Sequence, residues 1–161
     1  PGGERFYPWL HGERTPFWSA DLRGTFAGLT VQTDMATLSA AIVKGVAFTL
    51  SRMINAMANA RSCPSGVVVA GGGVRLSEML RVVQGSVSVP LTILRSFDYL
   101  ASDGAALSAA EALGLPLEMH HDIEKVLEPN AAFRADYEAW IAEAGSVANG
   151  IYHIGAGSQA A

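Results

Sequence analysis

The spacing of apolar residues between positions 35 and 59 marks the clearest element in the chain. Leu38, Ile42, Val46, Leu50, Ile54 and Met57 recur at helical intervals, and Val43, Ala47 and Phe48 widen the stripe. This period predicts a long helix that is mostly buried. Asp34 stands where an N-cap belongs. Ser62-Cys63-Pro64-Ser65-Gly66 breaks the helix. Val67-Val68-Val69-Ala70 is a continuous β-branched run and predicts a buried parallel strand. Gly71-Gly72-Gly73 turns the chain. A helix over about 76–83 follows, with Gly85 near its end, then a strand at Pro90–Leu94. Ser102 is placed to cap a third helix over about 103–113, closed by Gly114. The order helix, strand, helix, strand, helix predicts an α/β fold with parallel strands and right-handed crossovers. Val67–Ala70 should lie beside Leu91–Leu94, with helices 35–59 and 103–113 packed on them.

The flanks are less regular. Residues 1–32 carry Gly, Pro and the aromatics Phe6, Trp9, Phe17 and Trp18, and predict a loop region with short extended pieces at Arg5–Leu10 and Thr25–Leu29. Residues 115–128 show no period. Asn130 is placed to cap a final helix over about 131–144, with Phe133, Tyr137, Trp140 and Ile141 on one face and Gly145 ending it. Residues 146–161 are small and polar and read as a frayed tail. No internal repeat is present.

Composition narrows the function classes. A chain of 161 residues suffices for one domain, read here as 1–161 with a core over 6–144 and a tail over 145–161. Half the residues are hydrophobic, which fits either an alanine-rich α/β domain or a domain burying an extra face against a partner segment. Net charge is −4 and scattered, so no basic patch offers itself to nucleic acid. The longest apolar region, Leu38–Met57, is interrupted by Ser39, Lys44, Thr49, Ser51, Arg52 and Asn55, which argues against a membrane span. One cysteine, Cys63, excludes a disulfide framework and fits a reducing cytoplasm. There is no signal-peptide pattern. The first residue is proline rather than methionine, so a fragment or processed product is expected.

Candidate chemistry is sparse. The triple glycine after a strand and before a helix lets backbone approach a ligand and aims a helix N-terminus at it. No Gly-Lys-Ser/Thr follows, so it is not a Walker loop, and Leu76 stands where a dinucleotide fingerprint needs glycine. Glu13 and Arg14, flanked by Gly12 and Thr15-Pro16, read as a loop-fixing ion pair rather than an acid/base couple. Asp21 and Arg23 read the same way, as loop-ordering groups. His120-His121-Asp122 reads as a solvated pair, since adjacent side chains diverge and no spaced ligands complete a metal site. His11 and His153 are isolated, and Cys63 has no triad partner by spacing.

Two segments carry a family resemblance. Pro8-Trp9-Leu10-His11-Gly12-Glu13-Arg14-Thr15-Pro16, running on through Arg23-Gly24-Thr25-Phe26-Ala27-Gly28-Leu29-Thr30, and Val67-Val68-Val69-Ala70-Gly71-Gly72-Gly73-Val74-Arg75 resemble the C-terminal domain of the FGGY carbohydrate kinases. Asp103-Gly104-Ala105-Ala106-Leu107-Ser108-Ala109-Ala110 resembles that family's alanine-rich helix, with Ser108 in place of glycine. Thr37 and Lys44 depart from the family's second signature, where acidic or amide residues are usual. The resemblance covers about residues 6–140.

It implies part of a ribonuclease H-like (actin-like ATPase) domain. It implies ATP and Mg²⁺ as cofactors, and γ-phosphoryl transfer to a sugar or polyol held by an N-terminal domain absent from this chain. By resemblance Gly72 and Gly73 line adenine and ribose, and Ser77 touches the nucleotide. The catalytic aspartate of the family lies upstream, so no catalytic residue and no metal ligand is assigned here. The sheet edge that would meet the missing strands is expected to be exposed and apolar, which leaves room for a homodimer. A different class stays open: a non-catalytic actin-like binding or regulatory module.

Overall fold

The protein is described as a computed structural model covering residues 3–15, 17–59, 64–95 and 99–156, without the side chains of Val74 and of residues 151–156. Ser62, Cys63, the His153 side chain and the last five residues of the tail lie outside the described residues. Among the described residues nine elements follow one another: β1 (Arg5–Tyr7), β2 (Thr25–Ala27), α1 (Met35–Ala58), β3 (Val67–Val69), α2 (Ser77–Gln84), β4 (Leu91–Leu94), α3 (Leu100–Ala112), β5 (Ile123–Leu127) and α4 (Arg134–Ala156). A 3₁₀ turn at Gly72–Arg75 joins β3 to α2. β1 and β2 form an antiparallel pair. The second sheet runs β3-β4-β5.

The expected parallel pairing is present, with Val67 opposite Leu91 and Val69 opposite Ile93. Two features of this sheet were not expected. β5 pairs antiparallel with β4, Leu91 facing Leu127 and Thr92 facing Val126. Its residues are largely exposed, so burial wrote no alternating pattern into Ile123–Leu127. β3 is an edge strand rather than a buried one, and Val68 is 56% exposed.

Asp34 caps α1 as expected, accepting the Thr37 backbone N–H at 2.8 Å. That bond holds its carboxyl below the usual carboxylate range. The buried face of α1 differs from the apolar stripe. Ala41, Gly45, Phe48, Ser51, Asn55 and Ala58 are buried, while Ile42, Leu50, Met53 and Met57 are exposed. α1 packs closely on β1 and α2, and small residues stand at the points of closest approach, while Phe48 fills the core beside them. A Cβ on Gly45 would stand 2.2 Å from the Phe6 carbonyl oxygen. By length and composition α1 could cross a bilayer, with a mean hydropathy of 1.3. It is nonetheless tied into this core by Asn55, whose amide donates to the Ser86 carbonyl at 2.9 Å and accepts the Ser88 N–H at 3.1 Å. A buried amide partnered at both its nitrogen and its oxygen fixes the helix against the α2–β4 turn.

The other helices adjust the expected boundaries. α3 begins at Leu100, so Ser102 lies inside its first turn and no side chain caps it. It does not lie packed on the sheet: Ala110 is its one buried residue. α4 begins at Arg134, not at 131, because Ala131 takes a left-handed φ of 57° and Asn130 accepts the Ala132 N–H in a turn. Gly145 does not end α4, which continues to Ala156. Helix propensity disfavours glycine by only about 1 kcal/mol, and the buried Ala144 and Ala148 carry the helix past it.

The core gathers Tyr7, Trp9, Leu22, Phe48, Val82, Val87, Leu91, Tyr137 and Trp140. Tyr7 stacks on Trp140 with ring centroids 5.0 Å apart. Its hydroxyl lies 3.1 Å from Glu143 Oε2, which also pairs with Arg5 at 2.6 Å. Burial, then the Glu143 charge and hydrogen bond, push the Tyr7 hydroxyl far above the phenol range, against a smaller pull from Arg5. The folded pKa is raised above the unfolded one. Its contribution to stability is therefore complete below about pH 10 and is lost as pH rises beyond it. Thermal melts between about pH 9 and 11 should fall more steeply for the native chain than for Tyr7→Phe. Parallel curves would show that Tyr7 ionisation is not linked to unfolding.

Candidate functional site

The glycine turn sits where β3 ends. Gly71 has φ 87° and ψ 178°, a backbone state closed to residues with a Cβ. This reverses the chain directly after Val69 and Ala70. Gly72 opens the 3₁₀ turn, which the Leu76 N–H closes on the Gly73 carbonyl at 3.1 Å. Nothing lies within 4 Å of a Cβ built on Gly71 or Gly72, so the turn presents bare backbone to open space. At Gly73 the neighbour is the terminal methyl of Met79, at 2.6 Å.

The three expected residues are close in sequence but differ in setting. Gly73 borders a cavity of about 440 Å³. Gly72 is exposed beside it. Ser77 is the exposed first residue of α2, and no side chain caps that helix. The α2 N-terminus therefore offers unfilled N–H groups near the turn. Glu78 in that first turn is held by Arg81 at 2.6 Å, and this hydrogen bond lowers its carboxyl pKa.

The cavity is apolar. α1 contributes Leu50, Met53, Ile54 and Met57, β3 contributes Val67 to Val69, and α2 contributes Met79, Leu80 and Val83. The exposed stripe of α1 and the free edge of β3 thus face one groove. Sequence periodicity found Leu50 and Met57 but placed them on the buried face of α1. A flat, weakly polar ring fits such a groove next to bare backbone, so the residues are suited to a nucleoside. No carboxylate lines it. Asp34 caps α1, Asp136 pairs with Lys44 at 2.7 Å, and Asp103 lies 3.8 Å from His121 Nδ1. Among the described residues no group of three or more His, Cys, Asp or Glu could hold a metal ion. These residues therefore do not fit Mg²⁺ by themselves.

The loop over residues 11–20 also departs from expectation. The Glu13 carboxylate accepts the Phe17 N–H at 3.1 Å instead of pairing with Arg14. A backbone N–H within the loop is nearer and fixed, whereas an ion pair would order two long side chains in water. Arg23 orders its loop as expected, donating to the carbonyls of Ala20 and Leu22.

Comparison with known proteins identifies the chain's relatives. Residues 1–126 match the model of the FGGY family of carbohydrate kinases, C-terminal domain. The chain is 30% identical over 144 residues to a xylulose kinase of Staphylococcus epidermidis, covering 86% of this chain and 29% of that protein. It is 33% identical over 85 residues to a gluconokinase of Bacillus subtilis, covering 53% of this chain and 17% of that protein. Among solved structures, a xyloylose kinase from Brucella ovis superposes with a TM-score of 0.74 at 28% identity, over 96% of this chain and 33% of that one. A gluconate kinase from Lactobacillus acidophilus gives 0.71 at 26% identity, over 94% and 32%. The chain thus spans a third or less of the relatives it matches, and the expected actin-like ATPase fold is borne out.

Proposed function

Because the chain belongs to the FGGY family of carbohydrate kinases, as its C-terminal domain, we propose that it forms the adenine side of the ATP site in an ATP-dependent sugar kinase. The observation that carries this reading is the bare glycine turn beside the apolar groove. Gly72 and Gly73 give backbone contact to adenine and ribose, and Ser77 with the open α2 N-terminus lies one turn on. Bound ATP would supply the phosphoryl group. Mg²⁺, the sugar or polyol, and the general base belong to regions of the longer enzyme beyond these residues, since no described carboxylate reaches the groove. A cytoplasmic setting belongs to the same proposal.

Titration of the chain with ATP tests it. Gly73→Val should weaken ATP binding while the melting temperature stays close to the native value, because the obstacle to a new side chain is the flexible end of Met79. Unchanged ATP affinity in a folded Gly73→Val chain would remove the site. In a coupled assay the chain alone should turn over no sugar, since a positioned base contributes ~10²–10⁴ in rate. Turnover near that of a complete kinase would mean the base lies within this chain.

A further inference from the structure

We propose that Phe133 is a positioning residue for the glycine turn, the seat of a clasp that ties α2 to α1 and to the start of α4. Two cations lie over its ring. Arg81 of α2 stands 4.6 Å from the ring centroid, and Lys44 of α1 stands 5.7 Å from it. Each cation has its own carboxylate. Glu78 of α2 lies 2.6 Å from Arg81, and Asp136 of α4 lies 2.7 Å from Lys44. Exposed ion pairs alone contribute little. Here both share one aromatic seat, and cation–π attraction adds to each.

The backbone closes the same junction. The Phe133 N–H donates to the Gly85 carbonyl at 3.0 Å, at the C-terminal end of α2. A Cβ on Gly85 would stand 2.6 Å from Phe133 Cδ2 and 2.9 Å from its backbone nitrogen, so a side chain there would break the approach. Gln84 Nε2 donates to the Glu128 carbonyl at 2.8 Å, and Arg134 donates to the Val87 carbonyl at 3.3 Å. Ala131 takes its left-handed φ of 57° inside this junction. Such strained backbone persists only where its surroundings hold it.

α2 has eight residues and is therefore about 12 Å long. Its other end opens from the glycine turn. There the Leu76 N–H donates to the Gly73 carbonyl and the Leu80 N–H to the Leu76 carbonyl, both at 3.1 Å. No side chain caps that end. A helix this short moves as one body, so the contacts that hold its C-terminal end also set where its N-terminal end stands. The clasp thus acts on the glycine turn without touching it. Its consequence for ATP rests on the nucleotide reading of that turn.

Amide hydrogen exchange of the nucleotide-free chain, followed by NMR, reads the clasp directly. Phe133→Leu keeps an apolar side chain but removes the ring, and the Leu76 and Leu80 amides should then exchange about fivefold faster or more. Phe133→Tyr keeps the seat and should exchange as the native chain does. Trp140→Phe weakens the core elsewhere along α4, by losing the Nε1–H bond to the Phe6 carbonyl, and should leave those two amides at the native rate. Titration with ATP gives the second readout. Phe133→Leu should bind about five- to tenfold more weakly, while Phe133→Tyr and Trp140→Phe bind as the native chain does. Native exchange at both amides in Phe133→Leu, equal acceleration in Trp140→Phe, or native ATP affinity in Phe133→Leu would overturn the proposal. Accelerated amides in a chain that binds no ATP would support the clasp and remove the nucleotide reading instead.

Discussion

Replacing Trp140 by alanine should remove about 3–5 kcal/mol of stability, the largest single loss expected in this chain. The ring is 2% exposed and fills the space between β1, α1 and α4. It stacks on Tyr7 and lies 6.0 Å from the Phe48 ring. Its Nε1–H donates to the Phe6 carbonyl at 3.0 Å. Truncation would open a cavity and also leave that carbonyl unpaired. For a domain of this size each kcal/mol moves the midpoint by about 2–4 °C, so the melt should shift down by roughly 6–20 °C. Chemical denaturation should report the same loss at an unchanged m-value. A shift of a degree or two would mean that α4 does not dock on the core as described. Trp140 also lies beyond residues 1–126, the part matched by the family model. A large effect would show that the domain core needs the helix that follows the matched region.

Gly45→Ala should destabilise the chain as well, against the usual sign for an interior helix glycine. Propensity alone would favour alanine by about 1 kcal/mol. Here the new methyl would meet the Phe6 carbonyl oxygen at 2.2 Å and its carbon at 3.0 Å. These are backbone atoms of β1, held in register by β2 and by the Trp140 indole. They cannot rotate away, so α1 or β1 must move as a unit. Overpacking of this kind costs about 1–3 kcal/mol, occasionally more, and outweighs the propensity gain. Gly104→Ala, on exposed α3 with nothing within 4 Å of its Cβ, should be neutral or stabilising. If both substitutions stabilise, the α1–β1 contact is looser than described.

Much of the fold was legible because several signals were local. The Asp34 cap, the Val67–Val69 run, the glycine turn and the Leu91–Leu94 strand each occupy a few neighbouring residues, and all appear where local chemistry placed them. The Tyr137 and Trp140 face of α4 was legible for the same reason. Errors came where partners lie far along the chain. β5 is defined by pairing with β4, not by its own exposed residues. The left-handed Ala131 that delays α4 to Arg134 sits beside a distant tie, the Phe133 N–H donating to the Gly85 carbonyl at 3.0 Å.

The amino-acid sequence alone determined the order of the central elements, the parallel β3–β4 pair and the family likeness, because propensity, capping and glycine geometry act over a few residues. It also named Gly72, Gly73 and Ser77 as neighbours of one turn. Only the tertiary structure decided which face of α1 is buried. Apolar periodicity counts surface that avoids water, and it drew the stripe through Ile42, Leu50 and Met57, which are exposed. Close approach counts volume instead, and the face turned to β1 and α2 carries the small Ala41, Gly45 and Ser51 and the partnered Asn55 beside the core ring of Phe48. Leu50, Met53 and Met57 are turned to the open edge of β3, and there they wall the groove beside the glycine turn.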